Sequence, residues 1–122
     1  MTLSVEMITF DCTDPDTLAK WWAQAVNGSV NVYAPGEFVL VQRDGGPNLG
    51  FQRVPDPTPG KNRVHLDFHA ADMESEVTRL VDLGAKETGR HSFGPEFNWV
   101  VLPVLLILLW ISLCPAVRSR PL

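Results

Sequence analysis

The sequence predicts an α+β fold built from two similar strand–helix–strand–strand–strand units. A strand followed by a capped amphipathic helix occurs twice, and the second copy lies 58 residues after the first. Between the copies, residues 55–62 (PDPTPGKN) can continue neither a helix nor a central strand. One such unit exposes a sheet face that a second copy can cover. We therefore expect one domain at residues 1–102, with modules at 1–54 and 63–102 joined by that linker, and a separate tail at 103–122.

The first module begins with a strand at residues 3–10, where β-branched and aromatic residues alternate loosely with others. Asp14 is the expected N-cap of the helix, because its carboxylate can accept hydrogen bonds from the first backbone N–H groups, and Pro15 suits the first helical position. The apolar side of this helix comprises Leu18, Trp21, Trp22, Ala25 and Val26. We interpret both tryptophans as core residues. Short strands should follow at residues 29–34, 37–43 and 48–54.

The second module repeats this order. Its first strand alternates apolar Val64, Leu66 and Phe68 with polar His65, Asp67 and His69. Asp72 should cap a helix that ends at Gly84. Further strands are expected at residues 85–90 and 97–102. The 58-residue offset aligns Ile8 with Leu66, Phe10 with Phe68, and Asp14 with Asp72.

Composition excludes several classes of protein. The chain has 122 residues, 45% of them hydrophobic, with a formal net charge of −4. A body this acidic repels phosphate backbones, so we expect no nucleic-acid partner. Cys12 and Cys114 form no zinc-binding pattern and no disulfide framework, which favours a reducing compartment. The N-terminus lacks the pattern of a secretory signal, and we expect a cytoplasmic location.

Three stretches in this order and spacing are characteristic. They are VEMITFD at residues 5–11 with a following Asp-Pro, LGFQRVP at 49–55, and RVHLDF at 63–68. Together they resemble the glyoxalase/bleomycin-resistance family, also called the vicinal oxygen chelate superfamily, over about residues 3–102. The resemblance implies two paired βαβββ modules that form a curved sheet around a cavity, with an atypical last strand.

Metal-dependent members of that family hold the ion with four residues, usually His, Glu, His and Glu, one from each of four strands. Carried onto this sequence, these positions fall on Met7, Gln52 and His65 and near Trp110. Only His65 is a suitable ligand, since a thioether and a neutral amide are poor substitutes for imidazole and carboxylate. No Asp or Glu follows Glu96. We therefore expect no metal and no other cofactor.

The same positions, together with Thr9, are candidate ligand-binding residues: Met7, Thr9, Gln52 and His65. On its strand, His65 shares a face with Asp67, which could orient the imidazole for proton transfer, so these two are the candidate catalytic residues. The alternative is a polar strand face that lines a wet cavity or solvent. His65 and His69 cannot chelate one ion, because their Cα atoms should lie about 13 Å apart on a strand. Cys12 has no basic neighbour that would favour a nucleophilic thiolate.

The segment from Trp99 to Val117 is an uncharged, overwhelmingly apolar run of 19 residues. As a helix it would be about 28 Å long, close to the thickness of a bilayer core, so a membrane span over residues 99–117 is one interpretation. Pro103 and the two arginines after the run argue against it. A second interpretation is a buried eighth strand at residues 104–111. A third is a changed reading frame, which would leave an exposed, aggregation-prone tail.

The sequence thus predicts a metal-independent, glyoxalase-like domain that binds a small organic molecule. It would either sequester that molecule, as a resistance-type protein does, or act on it as a lyase or isomerase through His65. The resemblance also allows a homodimer, although no sequence feature demands one. The alternative from a different class is a membrane-tethered domain anchored by residues 99–117.

Overall fold

The computed structural model describes residues 2–58, 66–92, 98–104 and 109–114. The chain divides into two compact units, Met1–Thr58 and Pro59–Leu122. Each unit contains one four-stranded sheet and one helix, and each follows the order β-α-β-β-β. The predicted α+β class and the repeated βαβββ organisation are confirmed.

The first unit comprises β1 (Met7–Cys12), α1 (Pro15–Val26), β2 (Ser29–Ala34), β3 (Phe38–Gln42) and β4 (Asn48–Arg53). Its strands lie in the order β1-β4-β3-β2. β1 runs parallel to β4, whereas the β4–β3 and β3–β2 pairs are antiparallel. The first and last strands of the unit are therefore hydrogen-bonded neighbours.

The second unit comprises β5 (Leu66–His69), α2 (Met73–Asp82), β6 (Gly89–Ser92), β7 (Asn98–Val104) and β8 (Leu109–Cys114). Its strand order, β5-β8-β7-β6, repeats that of the first unit, with β5 and β8 parallel. The internal duplication expected from the sequence is thus a duplication of topology as well as of pattern.

The core of the first unit lies between α1 and one face of its sheet. Trp22 is fully buried there and stacks on Phe10, with 6.5 Å between ring centroids. Phe10 in turn stacks on Phe51 of β4 at 5.7 Å. The interpretation of Trp22 as a core residue is confirmed. Trp21 is half-buried and meets Trp22 edge-on at 5.3 Å.

Both helices begin with the same cap. The Asp14 carboxylate accepts hydrogen bonds from the backbone N–H of Thr17 at 3.2 Å and from the Thr17 hydroxyl at 2.7 Å. Asp72 accepts the corresponding pair from Ser75, also at 3.2 and 2.7 Å. These bonds satisfy backbone donors that have no partner within the helix. Both predicted caps are confirmed.

The described parts of the apolar run form strands. β7 continues through Pro103 to Val104, and the eighth strand begins at Leu109 instead of the expected residue 104. Proline is tolerated in β7 because β6 pairs with β7 only up to Val101, which leaves Pro103 beyond the doubly paired stretch. In the described segments, no helix has the length and apolarity needed to cross a bilayer. The structure therefore gives no support to the membrane-span alternative.

Replacing Asp14 tests the cap through its pH dependence. The hydrogen bonds from Thr17 hold the pKa of the Asp14 carboxyl below its usual range. A lowered folded-state pKa means that the carboxylate stabilises the fold above its unfolded pKa of about 3.9 and loses this effect as the pH falls through the folded value. We expect Asp14→Ala to lower the free energy of unfolding by about 1 kcal/mol at pH 7, measured by urea denaturation.

The deficit of Asp14→Ala relative to the wild type should shrink as the pH falls below about 4, because the carboxyl is protonated first in the unfolded chain and only at lower pH in the folded one. Asp14→Asn is the matched control, because its amide oxygen can still accept from Thr17 but does not titrate. A deficit of Asp14→Ala that stays constant from pH 7 to pH 3 would contradict this account of the cap.

Candidate functional site

The sheet of the first unit has one face that α1 does not cover, and we call it the open face. Its residues alternate with the buried ones along each strand. It comprises Met7, Thr9 and Asp11 of β1, Asn48, Gly50 and Gln52 of β4, Phe38 and Leu40 of β3, and Tyr33 of β2. Three of the predicted ligand-binding residues, Met7, Thr9 and Gln52, therefore share one face.

A groove of about 380 Å³ lies on the open face. All four strands of the sheet and the residue before β1 contribute to its lining. The lining residues are Glu6, Met7, Tyr33, Phe38, Leu40 and Asn48. Its volume falls within the range of small-molecule sites, and most of its lining is apolar or aromatic. The groove is thus suited to a small organic molecule with a flat or apolar body.

Gly50 determines how the middle of the open face is packed. A Cβ atom at this position would lie 2.9 Å from Thr9 Oγ1, 3.0 Å from Met7 Sδ and 3.1 Å from Phe38 Cζ. Side chains from three different residues therefore converge over a backbone position that has no side chain of its own. Any larger residue would have to displace the thioether and the ring that line the groove.

The parallel register separates Met7 from Gln52. Met7 lies opposite Asn48 and Gln52 lies opposite Asp11, so the two predicted residues are four positions apart along the strands. At about 3.3 Å per residue this is roughly 13 Å, too far for both side chains to hold one ion. The residues of β4 that flank Met7 on the open face are Asn48 and Gly50. Of the predicted residues that the structure describes, only Met7 lines the groove.

The remaining predicted residues belong to the second unit. His65 lies outside the described residues. Asp67 is exposed on β5 and pairs with Ser112 of the parallel strand β8. The position near Trp110 that was expected to match Gln52 is wrong by four residues, because Phe10 pairs with Phe51 but Phe68 pairs with Leu113. The residue equivalent to Gln52 is therefore Cys114.

The donor set on the open face does not fit the metal site that the family fold implies. At the two positions of this unit where the resemblance places ligands, Met7 offers a thioether and Gln52 a neutral amide, whereas divalent ions of this kind favour imidazole and carboxylate ligands. Within the residues that the structure describes, no three His, Cys, Asp or Glu side chains are grouped closely enough to hold a metal ion. We derive no chemical step through a metal.

Cys12 lies on the covered side of the sheet. It is 1% exposed, and its thiol is 3.6 Å from the backbone carbonyl oxygen of Gln52, to which it donates. Burial raises the pKa of the Cys12 thiol, and the nearby carboxylates of Asp14 and Asp11 act in the same direction. Because the thiolate is the nucleophilic form, this environment is that of a structural cysteine.

Sequence reasoning missed most of the groove. Tyr33 and Phe38 meet edge-on with 6.2 Å between ring centroids, and Leu40 is buried beside them although it faces away from α1. The alternation of side chains along β3 could have identified these residues. Val39 and Val41 pack against α1, so Phe38 and Leu40 must face the other way.

The fold and the groove define a small α+β protein of duplicated βαβββ units with a ligand-sized site on one sheet. A model of the Glyoxalase-like domain family matches residues 7–103. The chain therefore belongs to the glyoxalase-like family of the vicinal oxygen chelate superfamily. A search of curated protein sequences gives no match.

The chain has the same fold as solved structures of other proteins, three of which follow. A glyoxalase/bleomycin resistance protein/dioxygenase family enzyme from Burkholderia phytofirmans is 12% identical, with 94% of this chain and 100% of that one covered and a TM-score of 0.79. A mutant of the fosfomycin resistance protein FosX from Listeria monocytogenes, in complex with Mn(II) and a dihydroxypropylphosphonic acid, is 12% identical, with 96% and 93% covered and a TM-score of 0.79. Lactoylglutathione lyase from Agrobacterium tumefaciens is 12% identical, with 94% and 95% covered and a TM-score of 0.70. At these identities the likeness shows the fold.

Proposed function

We propose that this protein binds a small organic molecule in the groove on the open face, without a metal ion. Membership of the glyoxalase-like family supports small-molecule binding, with either an enzymatic or a resistance-type role. The finer assignment to this groove depends on one observation. Met7, the first position at which the resemblance places a metal ligand, lies beside Gly50 and a set of apolar and aromatic side chains.

The packing of the groove favours a flat ligand. Phe38 Cζ and Met7 Sδ lie within about 3 Å of the same point above Gly50, so the floor is formed by polarizable and aromatic groups. Tyr33 is 73% exposed and stands at the side of this floor, where a bound ring can contact it. Removing such surfaces from water provides most of the binding free energy in sites of this type.

Tyr33→Ala tests the groove with 2-naphthol, a neutral flat probe. The substitution removes an aromatic wall from an exposed position, so we expect 2-naphthol to bind about three- to tenfold more weakly, the equivalent of roughly 1 kcal/mol. Isothermal titration calorimetry or the probe's fluorescence measures this change. Val32→Ala is the matched control, because Val32 is on the same strand and exposed but pairs with Val39, on the opposite face.

Val32→Ala should bind 2-naphthol with an affinity within twofold of the wild type. Equal losses in the two variants would place the probe elsewhere. Absence of saturable 2-naphthol binding to the wild-type protein would contradict the proposed function.

We also propose that any catalytic step uses His65, with Asp67 as its orienting carboxylate. The support comes from the sequence: His65 directly precedes β5 and stands two positions before Asp67, which is exposed on that strand. An imidazole next to a carboxylate is a common proton-transfer pair. The same arrangement in a protein that only sequesters its ligand would leave His65 without a chemical role.

His65→Ala distinguishes these two roles once a bound compound is found to be converted. We expect the conversion rate to fall about 10²- to 10⁴-fold while the circular dichroism spectrum is retained, because general acid–base catalysis contributes about this much. Asp67→Asn should have a smaller effect in the same direction. Conversion at the wild-type rate in His65→Ala would exclude both residues from the mechanism.

A further inference from the structure

We propose that the groove selects flat apolar molecules that bear a positive charge. This inference depends on the proposed function, because it specifies the ligand class of the same groove. Its basis is the charge and the hydrogen-bonding groups of the six lining residues, which favour a cation over a neutral molecule and a neutral molecule over an anion.

Among the described residues that line the groove, Glu6 is the only acidic one, and none is Lys, Arg or His. Arginines of the described residues form ion pairs with other carboxylates, those of Glu37, Glu74, Glu76 and Glu87. None of these pairs involves Glu6, so within the described part of the chain its carboxylate is available to a cationic group in the groove. Residues 1–58 contain seven acidic and three basic residues, so the wider field of this unit has the same sign.

The aromatic walls act in the same direction. Tyr33 and Phe38 both line the groove and meet edge-to-face at an interplanar angle of 63°. The face of an aromatic ring has a negative potential and attracts ammonium and guanidinium groups. A flat cation can thus contact a ring with its body and the Glu6 carboxylate with its charge.

Asn48 provides the one oriented neutral donor. Its side-chain oxygen accepts a hydrogen bond from the backbone N–H of Arg43 at 3.2 Å, which leaves its amide nitrogen to donate. The Arg43 guanidinium itself packs against Gly46, 3.1 Å from the position of a Cβ there, and does not line the groove. Among the described lining residues, an anionic ligand would therefore find two neutral donors, the Asn48 amide and the Tyr33 hydroxyl, no cation and the repulsion of Glu6.

Three probes with the same ring system test this charge preference: 2-naphthyltrimethylammonium, 2-naphthol and 2-naphthalenesulfonate. We expect the cation to bind about three- to tenfold more tightly than 2-naphthol, because exposed cation–π contacts and exposed ion pairs are each weak. The anion should bind more weakly than 2-naphthol. The preference for the cation should decrease as the salt concentration rises.

Glu6→Gln separates the carboxylate from the rest of the groove. We expect this variant to lose most of the cation's advantage, measured as the ratio of its dissociation constants for 2-naphthol and for the cation. Asp16→Asn is the matched control, because it makes the same change in net charge in the first turn of α1, on the covered side of the sheet. That variant should retain the preference for the cation.

The outcomes for the two proposals are distinguishable. If 2-naphthol binds and Tyr33→Ala weakens it, but the three probes bind equally or the anion binds best, the charge inference is wrong and the proposed function stands. If Glu6→Gln and Asp16→Asn reduce the preference equally, the inferred role of Glu6 is wrong. If none of the naphthalene probes binds, both proposals fail.

Discussion

The parallel pairing of β1 with β4 is the constraint on which the candidate site depends. It aligns the first strand of the unit with the last and sets Met7 opposite Asn48 and Thr9 opposite Gly50. Because side chains alternate, this register also places Phe10 and Phe51 together beneath α1, where Trp22 packs on them. A shift of one residue would exchange the buried and open faces of β4 relative to β1. The aromatic core therefore stabilises the same register that assembles the groove.

Gly50 connects this register to function. In this position a side chain would fill the space above the sheet, whereas its absence lets Thr9, Met7 and Phe38 converge. The first unit thus presents a thioether, an aromatic ring and bare backbone at this point of the sheet. Such a surface gains binding free energy from the burial of apolar area and gains selectivity from the few polar groups at its margin, here Glu6 and Asn48.

Much of the fold follows from local signals in the sequence. Asp14 and Asp72 each precede a helix at the spacing that places a hydroxyl residue three positions later, and both form the expected caps. The register of β8 did not follow from local signals, as the incorrect match of Gln52 with Trp110 shows. The counting that equated them assumed a constant offset, but the offset between the modules changes by four residues before β8. An uninterrupted apolar run has no alternation with which to set the register, so only strand pairing could reveal it.

The central claim is that the open face of the first sheet is the ligand site, and methyl-selective NMR tests it most directly. The Met7 and Leu40 methyl groups line the groove, whereas the Val39 and Val41 methyl groups are buried beneath α1 on the same sheet. Titration with 2-naphthol should shift the Met7 and Leu40 signals in a saturable manner and leave those of Val39 and Val41 nearly unchanged. Saturable shifts confined to methyl groups outside the groove, with Met7 and Leu40 unaffected, would contradict the account.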